Sequence, residues 1–236
     1  MEYDKIIDDA LSYTKEGILV QLNRWVKLII GTILLGIPLS GYVLRIYRGA
    51  TPAPEVDNWG SLFIDGFKLF VIGLIYSIPV IAIWLLIYGR WLATVFSQGF
   101  THPGMAAMAG VSPHIGLLIL MYAIQIVIGV IFPVAAIRFA RTGAFFEAFR
   151  FGEITGYIGK IGWLWYILAL ILLMILISIP VFILVFAFVV AGILMFKSII
   201  GILIALIVVM IVIMPPITVF QARYMTRVYD STIPVA

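Results

Sequence analysis

Cysteine is absent from this 236-residue chain, which excludes disulfides, thiolate metal sites and cysteine nucleophiles. Charge is scarce: 11% of residues are Asp, Glu, Lys or Arg, against about 25% in an ordinary soluble domain. Between Ile161 and Phe220 the one charge is Lys197. Histidine occurs only at His102 and His114, each beside a proline. Two imidazoles without a third ligand make a poor metal site, so neither metal nor cofactor is expected. Phosphate-binding glycine loops, hydrolase triads and the paired histidines of metalloproteases are missing as well. These absences argue against an enzyme.

What fills the chain instead is apolar: 64% of residues, with a mean hydropathy of +1.20. A bilayer core of about 30 Å takes roughly 20 such residues per helix. The expected fold is therefore all-α, a polytopic membrane bundle with about five spans and interfacial amphipathic helices. The spans fall at about 25–47, 67–88, 115–137, 163–190 and 198–220, within a membrane domain over 25–228 and ahead of a tail over 229–236. Fifteen basic residues face eleven acidic ones, a modest excess that fits membrane topology and lipid headgroups rather than nucleic acid.

Residues 1–24 carry charge on both sides of Ile6, Ile7, Ala10 and Leu11, which recur at helical spacing. An interfacial amphipathic helix is one reading and a solvated tail the other. The apolar run begins only after Arg24-Trp25, so a retained N-terminus is expected rather than a cleaved signal peptide. The stretch 89–114, rich in small residues from Gly104 to Gly110, reads as a surface loop, with a re-entrant element as the alternative. From Thr142 to Gly162, Phe145, Phe146, Phe149 and Ile154 alternate with Glu147, Arg150 and Glu153 at helical period, which predicts a second interfacial helix.

A repeat runs through these pieces. Span one passes Pro38 and ends at Arg45 and Arg48, span three passes Pro133 and ends at Arg138 and Arg141, and span five passes Pro216 and ends near Arg223 and Arg227. Ser77-Ile78-Pro79-Val80 in span two recurs as Ser178-Ile179-Pro180-Val181 in span four. A two-span unit returns the chain to its starting side, so the copies are expected to be parallel. With five spans, the face at the ends of the odd spans collects nine basic residues against six opposite, which puts the C-terminus in the cytoplasm of a cell-membrane protein and the N-terminus outside.

The stretch Gly41-Tyr42-Val43-Leu44-Arg45-Ile46-Tyr47-Arg48, continuing through Pro54, Asp57, Trp59, Phe63, Asp65-Gly66-Phe67-Lys68 and Ile75-Tyr76 to Pro79, resembles the membrane protein family catalogued as domain of unknown function 4013. Ala148-Phe149-Arg150-Phe151-Gly152-Glu153-Ile154 fits the same pattern. One departure is the acidic loop, which in relatives often reads proline, acid, tryptophan, whereas here Val56-Asp57-Asn58 stands between Glu55 and Trp59. The resemblance implies an archaeal cell membrane and a helical bundle. It implies no reaction and no catalytic residues.

Three sets of residues are candidates for function. Arg45, Arg48, Arg138, Arg141, Arg223 and Arg227 are expected to anchor helix ends at the interface or grip lipid phosphates. Asp65, Lys68, Glu147, Arg150 and Glu153 are expected to form a polar network with those ends, because pairing offsets the desolvation of charge at the bilayer boundary. Gln125 is the only amide near the middle of a span and is expected to join helices. The prolines at 79, 133, 180, 215 and 216 either shape a cavity or merely curve the bundle. The favoured function is a structural, assembly or lipid-interacting component that forms a homo-oligomer through surfaces bearing Gly129, Ala135, Ala187 and Gly192. The alternative is a transporter or channel for a small, largely uncharged solute.

Overall fold

The structure is a computed structural model describing residues 2–98, 115–196 and 199–232. His102, His114, the run 104–110 and Lys197 lie outside the described residues. The described helices are α1 (Tyr3–Thr14), α2 (Leu22–Ile33), α3 (Ile37–Tyr47), α4 (Trp59–Gln98), α5 (Ile115–Thr142), α6 (Phe151–Ile161), α7 (Trp163–Phe196) and α8 (Ile199–Asp230). A π-helical turn over Lys15–Leu19 extends α1, and a 3₁₀ turn over Phe145–Phe149 precedes α6. The interfacial stretch 142–162 is thus two short elements rather than one helix.

Four helices, α4, α5, α7 and α8, are long and apolar enough to cross a membrane by length and composition. The expected first span, 25–47, is not among them. Its helix breaks at Leu34–Gly36, where Leu35 and Gly36 take φ of 59° and 69°. With 12 and 11 residues, the arms are about 18 and about 17 Å long, too short for a bilayer core of about 30 Å. The arms fold back on each other, so that a Cβ on Gly31 would sit 3.4 Å from Pro38 Cβ and the Leu39 nitrogen. The physical cause is local. Gly36 accepts the left-handed conformation without a Cβ clash, and Pro38 lies in the first turn of α3, where a missing N–H costs nothing. Pro38 starts a helix; it does not kink one.

The chain divides into two compact units. The larger comprises Met1–Phe70 and Pro133–Ala236. In it α7 pairs with α8, and α1, α2 and α3 pack against α8. Its buried centre is aromatic and aliphatic: Tyr42, Tyr166, Tyr224, Leu44, Ile46, Leu62 and Ile137 are all but inaccessible. Tyr224 donates its hydroxyl to the Ala169 carbonyl at 3.0 Å, tying α8 to α7. Pro216 has no N–H to offer the carbonyl four residues earlier, that of Val212, and the Trp25 indole supplies a donor to that oxygen at 2.9 Å.

A close backbone approach in this unit is where α3 crosses the start of α4. A Cβ on Gly41 would lie 2.0 Å from the Leu62 carbonyl oxygen, and one on Gly66 would lie 1.8 Å from that of Ile37. Two glycines let the helices meet backbone to backbone, as small residues do in membrane helix pairs.

The smaller unit is Val71–Phe132, made of the later part of α4 and the first part of α5. Tyr76 meets Phe132 edge to face at 5.6 Å, over Gly73, whose Cβ position is 3.8 Å from the Phe132 ring. Ile72, Ile83 and Met121 are buried. Trp84 and Tyr88 lie one turn apart with ring centroids 5.3 Å from each other.

Candidate functional site

Helix ends converge in the larger unit, and their charges form one layer. Arg45, in the last turn of α3, donates to the Asp57 carboxylate, to the carbonyls of Glu55 at 2.9 Å and Asp57 at 3.0 Å, and to Ser61 Oγ at 3.0 Å. Arg24, at the start of α2, donates to the Glu55 carboxylate and to the Gly17 carbonyl. Glu55 therefore meets both the first turn of α2 and the last turn of α3, so the open end of the hairpin lies in the layer and its tip points away. Asn58, with φ 48°, closes the loop: its carbonyl accepts from Ser61 N and Leu62 N in the first turn of α4.

Arg48 and Arg141 follow α3 and end α5. Arg48 pairs with Asp65 at 2.7 Å and donates Nε to the Ala140 carbonyl at 3.3 Å. Arg141 donates Nε to the Tyr47 carbonyl and grips both oxygens of Asp230 at 2.9 Å. The two arginines thus exchange hydrogen bonds with each other's preceding residue. Arg138 pairs with Glu147 at 2.6 Å, and Glu147 also takes Arg150 at 2.7 Å.

Asp9 holds the third set. Its carboxylate accepts from Arg223 Nε at 2.6 Å and from Arg227. Arg223 is buried, 4% exposed; it also donates to Thr51 Oγ1 at 2.9 Å and lies over the Tyr13 ring, 4.4 Å from its centroid. Burial pushes the Asp9 carboxyl up, but hydrogen bonds from Arg227 and Arg223 outweigh it and bring the pKa down to about 2. Hydrogen bonds from Arg24 and Arg45 hold the Glu55 and Asp57 carboxyls below their ordinary values, as those from Arg150 and Arg138 do for Glu147. Asp9, Glu55, Asp57 and Glu147 are thereby held ionised at neutral pH, which favours clamping over proton transfer.

All six candidate arginines at helix ends are engaged by protein acceptors. Asp65, Glu147 and Arg150 of the expected network stand in ion pairs. Lys68 and Glu153 do not: both are exposed, and among the described residues neither comes within ion-pair distance of an opposite charge. Gln125 is exposed on α5 in the smaller unit and makes no side-chain hydrogen bond among the described residues. Of the small residues assigned to an oligomer surface, Ala135 is fully buried while Gly129 is open.

Sequence reasoning missed Asp9, Arg24, Glu55, Asp57 and Asp230. Asp9 counted only as part of a polar helix face, and Asp230 fell in the supposed tail. A usable signal existed in the scarcity of acids, since all eleven fall beside segments that meet in the layer. Among the described residues no group of three His, Asp or Glu side chains could hold a metal. What the arrangement does chemically is neutralise and lock helix ends.

A family model described as "Protein of unknown function (DUF4013)" matches residues 26–189. That match takes in Arg45–Asp57, Arg48–Asp65 and Arg138–Glu147, and leaves out both α1 and α8, which supply the Asp9 clamp. No curated protein and no solved structure matches the chain.

Proposed function

We propose, from the premise that the chain belongs to the family of proteins of unknown function DUF4013, that it is a multi-pass membrane component with a structural, assembly or lipid-interacting role and no catalytic chemistry of its own. The observation that carries this reading is the ion-paired layer. Arginines that could have served a solute or a reacting group are held by carboxylates and carbonyls. Between residues 69 and 89, 115 and 137, 163 and 196, and 199 and 222 there is no ionisable acid, base or histidine except tyrosine. A carrier of ions or protons usually keeps such groups at depth.

The layer also bears on orientation. Of the fourteen basic residues among the described residues, all but Arg90 fall, with all eleven acids, in segments that meet there. With the hairpin returning the chain to its own side, the positive-inside rule assigns the layer, and both termini with it, to the cytoplasm. The reciprocal bonds of Arg48 and Arg141 support a parallel repeat: Arg45 and Arg48 stand to Tyr47 as Arg138 and Arg141 stand to Ala140, at one constant offset. The chain forms a homo-oligomer in this reading, through the apolar surface its helices leave exposed.

The test is reconstitution of the purified protein into liposomes. The expected result is a melting temperature that depends on lipid composition, a defined oligomer by light scattering, and no flux of glycerol, urea or small sugars above empty vesicles. Saturable flux of any of them would replace this reading with a transporter.

A further inference from the structure

A groove of about 640 Å³ runs between the N-terminal segment and the α7/α8 pair. That volume is in the range of sites that take small organic ligands. Its walls are Ile7, Leu11 and Leu19 on one side and such residues as Leu176, Leu184 and Ile217 on the other. Pro180 of α7 and Pro216 of α8 both line it, each removing one backbone N–H from its helix.

The groove has one charged lining residue among those described, Lys15. It is placed there by the π-helical turn, in which the Val20 N–H reaches back five residues to the Lys15 carbonyl at 2.9 Å; such turns occur often at functional sites. Lys15 is exposed and, unlike every arginine of the layer, stands in no ion pair among the described residues. An apolar slot with one free cation at its edge has the polarity of an anionic lipid: hydrocarbon inside, phosphate outside.

We propose that this groove holds one hydrocarbon chain of an anionic phospholipid, with the headgroup phosphate against the Lys15 ammonium and the Ser12 hydroxyl beside it. The proposal rests on the reading of the chain as a lipid-interacting membrane protein and gives that reading a site. Burial of the chain selects little, because a lipid tail leaves one apolar medium for another. Selection comes from the charge on Lys15 at the edge of an otherwise apolar groove.

The experiment is native mass spectrometry of the full-length protein released from micelles containing equimolar phosphatidylglycerol and phosphatidylcholine of the same chain length. The native chain is expected to retain one phosphatidylglycerol in preference. Lys15→Gln is expected to cut that preference about fivefold, the equivalent of about 1 kcal/mol for one lysine near an anionic lipid, and Lys27→Gln to leave it unchanged. Leu11→Trp and Leu184→Trp fill the groove from opposite walls, both from exposed positions, and each is expected to abolish retention while circular dichroism shows a folded protein. Preferential retention that survives Lys15→Gln and both tryptophans would overturn the groove and leave the lipid-interacting role standing; no lipid retention and no lipid-dependent melting would remove both. Dimers lost on Leu184→Trp without lipid would assign the groove to a second copy of the chain, which also overturns the proposal.

Discussion

Gly66→Ala sets helix propensity against helix packing, and the structure says which prevails. In an isolated helix the change is worth up to about 1 kcal/mol in favour of Ala. At the α3–α4 crossing, however, the new Cβ would lie 1.8 Å from the Ile37 carbonyl oxygen, where contacts below 3.0 Å are essentially never seen. The two backbones would have to part by about 1 Å, and a gap of that size forfeits a quarter to a half of each dispersion contact along the seam. Overpacking costs about 1–3 kcal/mol, and the upper end applies because the obstacle is a main-chain carbonyl with no other rotamer. After the propensity gain the net loss is about 2 kcal/mol, or a melting temperature lower by roughly 4–8 °C. Gly41→Ala meets Leu62 in the same way, and the double variant should lose less than the sum, since both act on one crossing. Gly156→Ala in α6, with nothing within 4 Å of the new Cβ, is the control and should gain about 0.5 kcal/mol. The assay is thermal unfolding in one detergent followed by circular dichroism. A Gly66→Ala protein that melts at or above the native chain, alongside a stabilised control, would refute the crossing.

Asp9→Asn should destabilise the protein by about 2 kcal/mol, because it strands the buried Arg223 and because partial solvent screening reduces what the depressed pKa alone would give. The folded-state pKa lies below the unfolded one, so the stabilisation is present above about pH 4 and lost as pH falls toward 2; a melting series over that range should show a steeper acid loss for the native chain than for the Asn variant. Asp65→Asn should lower stability measurably, by about 1 kcal/mol, whereas Glu153→Ala should stay within about 0.5 kcal/mol of native; a loss at Glu153 matching that at Asp65 would contradict the ion-pair assignment. Because the native chain has no cysteine, the single replacements Val20→Cys, Ala144→Cys and Ser231→Cys can be read by impermeant maleimide, and all three should label from one side of the membrane. Protection of Val20→Cys alone would restore a spanning first segment.

Hydropathy made the membrane helices legible, since α5, α7 and α8 begin within about two residues of where the apolar runs begin. It failed at 25–47 for a physical reason. A hairpin of two short apolar helices and one continuous span present the same composition to a window sum, and only backbone conformation separates them. The discriminating signal was local: Gly36-Ile37-Pro38 places a glycine where a helix can stop and a proline where one can start. Read that way, the segment leaves its N-terminus on the side of its C-terminus, and the narrow nine-to-six count becomes a strong asymmetry.

The basic ends were legible as a class, because cations cluster where apolar runs stop. Their partners were not. Arg223 and Asp9 are 214 residues apart and Arg141 and Asp230 are 89 apart, distances at which sequence periodicity carries no information. Glu153 shows the limit at short range too: it lies on α6 three residues from Arg150, yet Arg150 pairs with Glu147 behind it. Scarcity gave the one usable constraint. With eleven acids in a chain whose apolar stretches exclude them, a carboxylate beside a helix end has few places to go except to another helix end. The single basic residue lining the groove, Lys15, stands outside that closed set. Although Glu16 is its neighbour in the chain, Lys15 lines an apolar wall and stands in no ion pair among the described residues, which is why its charge points to a ligand from the membrane rather than to another part of the fold.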